Sequence, residues 1–345
     1  MTTAVQQPPA PTPAAESRWL VAARSRELGI AALIVLVFLV TTAYNHDFAR
    51  PHSIQQLLTG ASLIALLGVG ETMVIVTRNV DLSVGSTLGL SAYVVGDLFK
   101  HQHIPVWSGF VIGVLVGLLI GTVNGFVIAV LRVPSLVVTL AMLYVVRGID
   151  SLIVNGQTID PDAIPNAFTA VGYKDVLGIP WLAVIVALIV AFFGYAMRSF
   201  RSNRDLYAIG SNPAAAELAG IPAGRRVFTA FVISGLLSGL AGALFLSLHA
   251  QIDNSGGSGY ELNVVAAVVV GGVAIFGGSG TVVGAALGAV LLNTIDQALV
   301  ASRISSFWSE AIAGGLLIAA IAADRALSLR TARSLRRREG AHREL

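Results

Sequence analysis

The sequence predicts an all-α fold, a polytopic integral membrane bundle of about ten transmembrane helices, on three observations. Hydrophobic residues make up 55% of the 345-residue chain and charged residues only 12%, about half the ~25% of an ordinary soluble domain. Mean hydropathy is +0.79. The apolar residues are also gathered into blocks separated by short polar breaks, at 28–45, 57–77, 82–99, 107–131, 135–154, 181–199, 227–249, 262–275, 281–301 and 307–323. A span needs about 20 apolar residues, so the short segments 82–99, 262–275 and 307–323 are expected to be brief helices sheltered by their neighbours or helices broken at glycine.

Along the chain, residues 1–27 are rich in Pro and Ala (PPAPTPAA) and read as a disordered cytoplasmic tail, because they hold too little apolar surface for a core. The first block is followed by TTAYNHD rather than a small-residue cleavage site, so it reads as an anchor. The transmembrane domain is expected over 28–323, with a basic cytoplasmic tail at 324–345. With the N-terminus inside and ten crossings, 17 of the 22 Lys and Arg fall on the cytoplasmic side. Only Arg50, Lys100, Arg147, Lys174 and Arg303 are then assigned outside, which is the positive-inside asymmetry. Both termini are thus expected in the cytoplasm. The pI of 9.4 is explained by this topology, and nucleic acid is not expected as a partner. Adding about 170 to spans two to five lands on spans seven to ten, which predicts an inverted repeat of the kind transporters build around one site.

The chemistry that is missing narrows the function. Lys100 and Lys174 are the only lysines and follow Phe99 and Tyr173, so there is no phosphate-cradling G-x-x-x-x-G-K-[ST] loop. There is no H-E-x-x-H, no G-x-S-x-G and no cysteine, which leaves no metalloprotease, serine-hydrolase or thiolate site. No catalytic or metal-binding residue is expected, and the membrane bundle must itself be the working part.

Two patterns lie within the spans. Gly109, Gly113, Gly117, Gly121 and Gly125 recur at every fourth position of the fourth span, and Gly280, Gly284 and Gly288 do so in the ninth. Small residues at this spacing let helix backbones approach closely and are expected to form packing seams. Charged groups at membrane depth are few: Glu71, Asp296 and Glu310, with Asp97 and Asp150 nearer span ends. Each costs at least roughly 2.5 kcal/mol if left in lipid. Glu71, Asn124, Asn293 and Asp296 are therefore candidates to line a translocation path, or else to hydrogen-bond between helices. They form no carboxylate–histidine relay, which favours a neutral polar substrate.

Between the sixth and seventh spans, NPAAAELAG (212–220) carries complete helix punctuation: Asn212 as N-cap, Pro213 in the first turn, Ala214, Ala215, Ala216, Glu217 and Leu218 as helix formers, and Gly220 as terminator. Arginines at 201, 204, 225 and 226 flank it, which puts it on the cytoplasmic side. It reads as a linker helix or as a docking element.

The sequence resembles the permease subunits of bacterial ATP-binding-cassette (ABC) importers for monosaccharides, the ribose, xylose, galactose and rhamnose group that includes the autoinducer-2 importers. The match rests on TRNVDLSVGSTLGLSAYVVG (77–96), YAIGSNPAAAELAGIPAGRRVFTAFVISGLLSGLAGAL (207–244) and GYELNVVAAVVVGGVAIFGGSGTVVGAALGA (259–289), with PSLVVTLAMLYVVRGI (134–149) as a weaker fourth stretch. The T-R-N turn at 77–79 looks closest to the rhamnose and autoinducer-2 permeases. The resemblance implies that helix 212–220 fits a groove on a separate ATPase subunit, which uses ATP and Mg while this chain binds no cofactor. It also implies an extracytoplasmic sugar-binding protein, a second permease chain, identical or related, and a place in the bacterial inner membrane surrounded by lipid. A branched-chain amino-acid permease of the same general fold and a transporter acting alone are the alternatives.

Overall fold

The computed structural model describes residues 14–305 and 307–322. Its helices are α1 (Ala14–Tyr44), α2 (Pro51–Ile75), α3 (Val84–Gln102), α4 (Val106–Ala129), α5 (Ser135–Val154), α6 (Asn166–Tyr173), α7 (Trp181–Ser199), α8 (Arg201–Ser211), α9 (Pro213–Leu218), α10 (Ala223–His249), α11 (Tyr260–Val270), α12 (Val282–Ala301) and α13 (Phe307–Ala322). Among the described residues, strand structure is confined to a two-stranded hairpin, Asp175–Val176 with Ile179–Pro180, and one bridge, Ile159 with Ile252.

Seven helices (α1 from Arg26, α2, α4, α5, α7, α10 and α12) are long and apolar enough to cross a membrane. The remaining three expected spans correspond to α3, α11 and α13. Two boundaries need correcting. Helix α1 begins at Ala14, so the part of the expected N-terminal tail from 14 to 27 is helical; residues 1–13 and the expected C-terminal tail lie outside the described residues. The segment 262–275 takes the expected form of a helix broken at glycine, with its helical part ending earlier: α11 ends at Val270, and Gly271 and Gly272 open a turn that continues to Thr281. At 1.5 Å per residue the 11 residues of α11 rise about 16 Å, roughly half the hydrocarbon thickness.

Helix α2 lies at the centre. Every residue from Ala61 to Ile75 is buried, as expected of a helix that is apolar all round and enclosed on every side. α10 packs against α2, α3 and α4, while α2 packs against α10, α11 and α12. The two central helices thus exchange partners, α4 for α12 and α3 for α11, as a repeat relating α2–α5 to α10–α13 requires. On the periphery, Leu36, Leu39 and Val40 of α1 and Leu115, Leu119 and Leu136 of α4 and α5 are exposed; lipid is the medium in which such surface is stable.

Gly113, Gly117, Gly121 and Gly125 of α4 face α10. A Cβ on Gly117 would lie 2.1 Å from the carbonyl oxygen of Gly235, and one on Gly121 would lie 2.4 Å from that of Phe231. The partners are small as well, since a Cβ on Gly239 would come within 2.1 Å of the Gly113 oxygen. Gly109 meets Phe99 and Phe168, and Gly125 meets Phe228. On α12, Gly284 abuts Gly271 and Gly288 abuts Ala267 of α11. Gly280 does not continue that ladder: it precedes the Thr281 N-cap, has φ 134°, and faces Val273 across the turn.

Candidate functional site

At one end of the bundle lies the exposed helix α9. Asn212 caps it by accepting a hydrogen bond from the Ala215 N–H at 3.1 Å, and Gly220, at φ 75°, ends it. Ala216 is buried, whereas Pro213, Ala214, Ala215, Glu217 and Leu218 are exposed, Leu218 at 91%. Beside it lies a groove of about 650 Å³ lined by Asn79, Arg132, Ser135, Pro213, Glu217 and Arg225. In water a six-residue helix without tertiary support is marginal; here the cap and the buried Ala216 hold it.

Sequence reasoning missed α8, which leads directly into α9. Its signal is the pairing of Leu206 with Ile209, both buried, against exposed Arg201 and Arg204. The Asp205 carboxylate accepts from Arg226 of α10 at 2.8 and 2.9 Å. The C-terminal end of α8 is gripped by two loops. From 76–83, the Arg78 guanidinium donates to the carbonyl oxygens of Gly210 (2.5 Å) and Ser211 (2.9 Å). From 271–281, Gly280 accepts from the Tyr207 hydroxyl at 3.0 Å and Gly278 accepts from the Ser211 hydroxyl at 3.4 Å. The loops are themselves joined by the Gly278 N–H to Val76 oxygen bond of 2.9 Å. Only glycine fits at 210, where a Cβ would lie 1.7 Å from the Val76 oxygen. Burial pushes the Tyr207 hydroxyl up to about 12, so it stays protonated and able to donate.

Glu71 and Asn124 are brought together in one buried cluster, organised by a residue the sequence reading passed over. Asp81 accepts from the Ser83 N–H (3.0 Å), the Ser83 hydroxyl (2.6 Å) and the Ser234 hydroxyl (3.1 Å). Its own N–H donates to Glu71 Oε1 at 3.1 Å, and Asn124 donates to the Ser83 hydroxyl at 2.9 Å. The cluster ties loop 76–83 to α2, α4 and α10 just beneath the grip on α8. Asn293 and Asp296 do not join it. Asn293 donates to the Leu57 oxygen at 2.8 Å, and Asp296 accepts from the Ser309 hydroxyl. The four candidate path residues therefore fall into separate groups rather than one continuous lining, because Asn293 meets α2 at Leu57 near its N-terminal end whereas Glu71 lies near its C-terminal end. Glu310 is exposed on α13.

At the end of the bundle remote from α9, a cavity of about 580 Å³ is lined by His52, Gln56, Thr59, Tyr173, His249 and Gln297. A second, of about 340 Å³, lies under the segment between α10 and α11 and also reaches His249. Arg147 is not at either end. It lies within α5, where its guanidinium donates to the Gly256 oxygen at 2.6 Å, so its expected place in an outside loop is corrected.

Residues 53–321 match the family described as "Branched-chain amino acid transport system / permease component". Among curated proteins the chain is similar to the autoinducer 2 import system permease protein LsrC of Enterobacter sp. (strain 638), 34% identical over 302 residues, 87% of each chain. It is likewise similar to the LsrC protein of Klebsiella pneumoniae, 33% identical over 91% of this chain and 90% of that one, and to that of Escherichia coli K12, 33% identical over 91% of each. No solved structure matches. The family match over residues 53–321 and the similarity over 87–91% of the chain show that this chain belongs to the membrane permeases of the branched-chain amino acid transport system / permease component family.

Proposed function

We propose that the chain is the membrane-spanning permease subunit of an ATP-driven importer for a neutral monosaccharide or an autoinducer-2-like molecule. Similarity to import permeases over 87–91% of the chain is the observation that carries this reading. Two permease chains, identical or related, surround the pathway, and an extracytoplasmic binding protein delivers the substrate. The ATP and Mg are used by a separate ATPase.

The mechanism follows from the grip on α8. The ATPase engages Ala214, Ala215, Glu217 and Leu218 of α9 and the groove beside them. Movement of α9 passes through Gly210 and Ser211 to loops 76–83 and 271–281, and from the first loop to the Asp81 cluster and α2, α4 and α10. The interrupted helix α11, adjacent to the second loop, is similar to the discontinuous helices that form substrate sites in transporters of repeat architecture. The α9 end faces the cytoplasm in this reading, supported by Arg198, Arg201, Arg204, Arg225 and Arg226 around it.

The family description suggests a second reading, with a branched-chain amino acid as substrate. One experiment separates the two: purification of the intact complex from native membranes and identification of the ligand on the co-purified binding protein. A neutral sugar or autoinducer-2-like ligand is expected. A branched-chain amino acid would select the second reading, and transport by the chain alone in proteoliposomes would remove both.

A further inference from the structure

Buried polar atoms without a hydrogen-bond partner mark places where a structure is incomplete. The densest such place is not the Asp81 cluster but a strip where α3, α5 and α11 meet. Both carboxylate oxygens of Asp150, the Nη2 of Arg147 and the Oε2 of Glu261 are buried and unpartnered. Asp150 is only 1% exposed. Arg147 and Asp150 are one helical turn apart on α5. Arg147 and Glu261 lie against successive turns of one α3 face: a Cβ on Gly89 would lie 3.3 Å from Arg147 Nη1, and one on Gly85 would lie 2.3 Å from Glu261 Oε2. The order along the strip is carboxylate, guanidinium, carboxylate, yet no ion pair within 4 Å joins them among the described residues.

The chemistry of these atoms selects a ligand class. Three unpartnered acceptors and one unpartnered donor call for a molecule with several O–H groups that can also accept once, which adjacent hydroxyls on a carbon skeleton do. Two carboxylates beside one guanidinium disfavour an anion, and an apolar molecule would leave every group unpaired. Access is controlled from one side. The segment 253–257 covers the strip and is latched by the 2.6 Å bond from Arg147 to the Gly256 oxygen. The cavity of about 340 Å³, lined by Asp253, Ser255, Gly256, Gly257 and Tyr260, lies against that same segment. Phe245 forms one wall of it, stacked on His249 at 4.0 Å, and such a ring face suits the C–H side of a sugar.

We propose that Arg147, Asp150 and Glu261 form a subsite within the membrane for adjacent hydroxyls of a neutral polyol, opened when segment 253–257 leaves Arg147. The proposal rests on the importer reading and deepens it by naming the residues that receive the substrate inside the permease. The test uses the full chain in lipid nanodiscs and follows backbone hydrogen exchange of 250–261. The probes are D-ribose, D-xylose, D-galactose and L-rhamnose, each at about 100 mM, enough to fill a site of ~1 mM Kd. Glycine betaine serves as the osmolyte control and ribose 5-phosphate as the anionic one. At least one sugar is expected to change exchange in 253–261 by twofold or more where both controls do not. The same change is expected to vanish in Asp150→Asn and in Glu261→Gln, both of which keep side-chain size. If one variant fails to insert, the other decides. No sugar effect in the natural chain, or an effect retained in the inserted variants, overturns the subsite. Co-purification with an ATPase and a binding protein, measured separately, reports on the importer reading, so the two failures are distinguishable.

Discussion

Helices α4 and α9 both carry rows of small residues, and the structure uses them in opposite ways. On α4, Gly113, Gly117 and Gly121 are pressed onto the α10 backbone so closely that a single added carbon would overlap a carbonyl oxygen. On α9, Ala214 and Ala215 face outward beside a Leu218 that is 91% exposed, and Gly220 has nothing within 4 Å of where a Cβ would be. Small residues on α4 complete a contact inside the chain. Those on α9 leave a face clear around the exposed Leu218, which is the face the proposed ATPase contact uses.

The sharpest way to break this comparison is Gly117→Leu, which should remove correctly assembled protein from the membrane. Overpacking a close seam costs about 1–3 kcal/mol or more per added group, and here the obstacle is backbone. Gly117→Ala should be milder but still reduce yield. Membrane abundance and thermal unfolding of the purified chain check both, and unchanged values for Gly117→Leu would mean that α4 is turned the other way. Next in size are Ala215→Trp and Glu217→Arg. These should abolish uptake and weaken ATPase co-purification, with stability altered by no more than about 0.5 kcal/mol because the side chains have room. Normal uptake with normal ATPase association would make α9 a linker. Arg78→Lys should lower uptake about tenfold while leaving ATPase binding intact, since a lysine cannot span both carbonyls as the guanidinium fork does. Loss of ATPase binding instead would place Arg78 in the docking surface. The smallest effect is expected at Gly148, where nothing lies within 4 Å of a Cβ. Gly148→Ala should raise stability by up to ~1 kcal/mol through helix propensity, and a loss on thermal unfolding would reveal a neighbour from a second chain.

Much of this was legible in the sequence, and the gaps have physical causes. The α9 boundaries follow from Asn212, Pro213 and Gly220 because capping is a local interaction. The α4 ladder was readable too, but its partners Gly235 and Gly239 were not assigned, since spacing on one helix does not say which neighbour it faces. Counting by four carried Gly280 into α12, although a backbone at φ 134° cannot belong to a helix. Asp81 was passed over because it falls in the polar break between the second and third blocks, and only the fold shows that this break is buried among α2, α4 and α10. Arg147 was counted with the outside residues, and its Gly256 partner lies 109 residues away. Glu261, which lies with Arg147 against one face of α3, is likewise far from it along the chain.

The double grip on α8 has a consequence for timing. Gly210 and Ser211 touch Val76 and Arg78 of one half and Gly278 of the other, and the two loops are bonded directly to each other. In the proposed mechanism a displacement arriving through α9 reaches both halves in one stroke. A state with one half switched and the other at rest would have to break the Gly278–Val76 bond and one side of the grip. Under the proposed mechanism each chain carries its own synchroniser, and the steps left to be ordered in time are those between the two permease chains of that proposal.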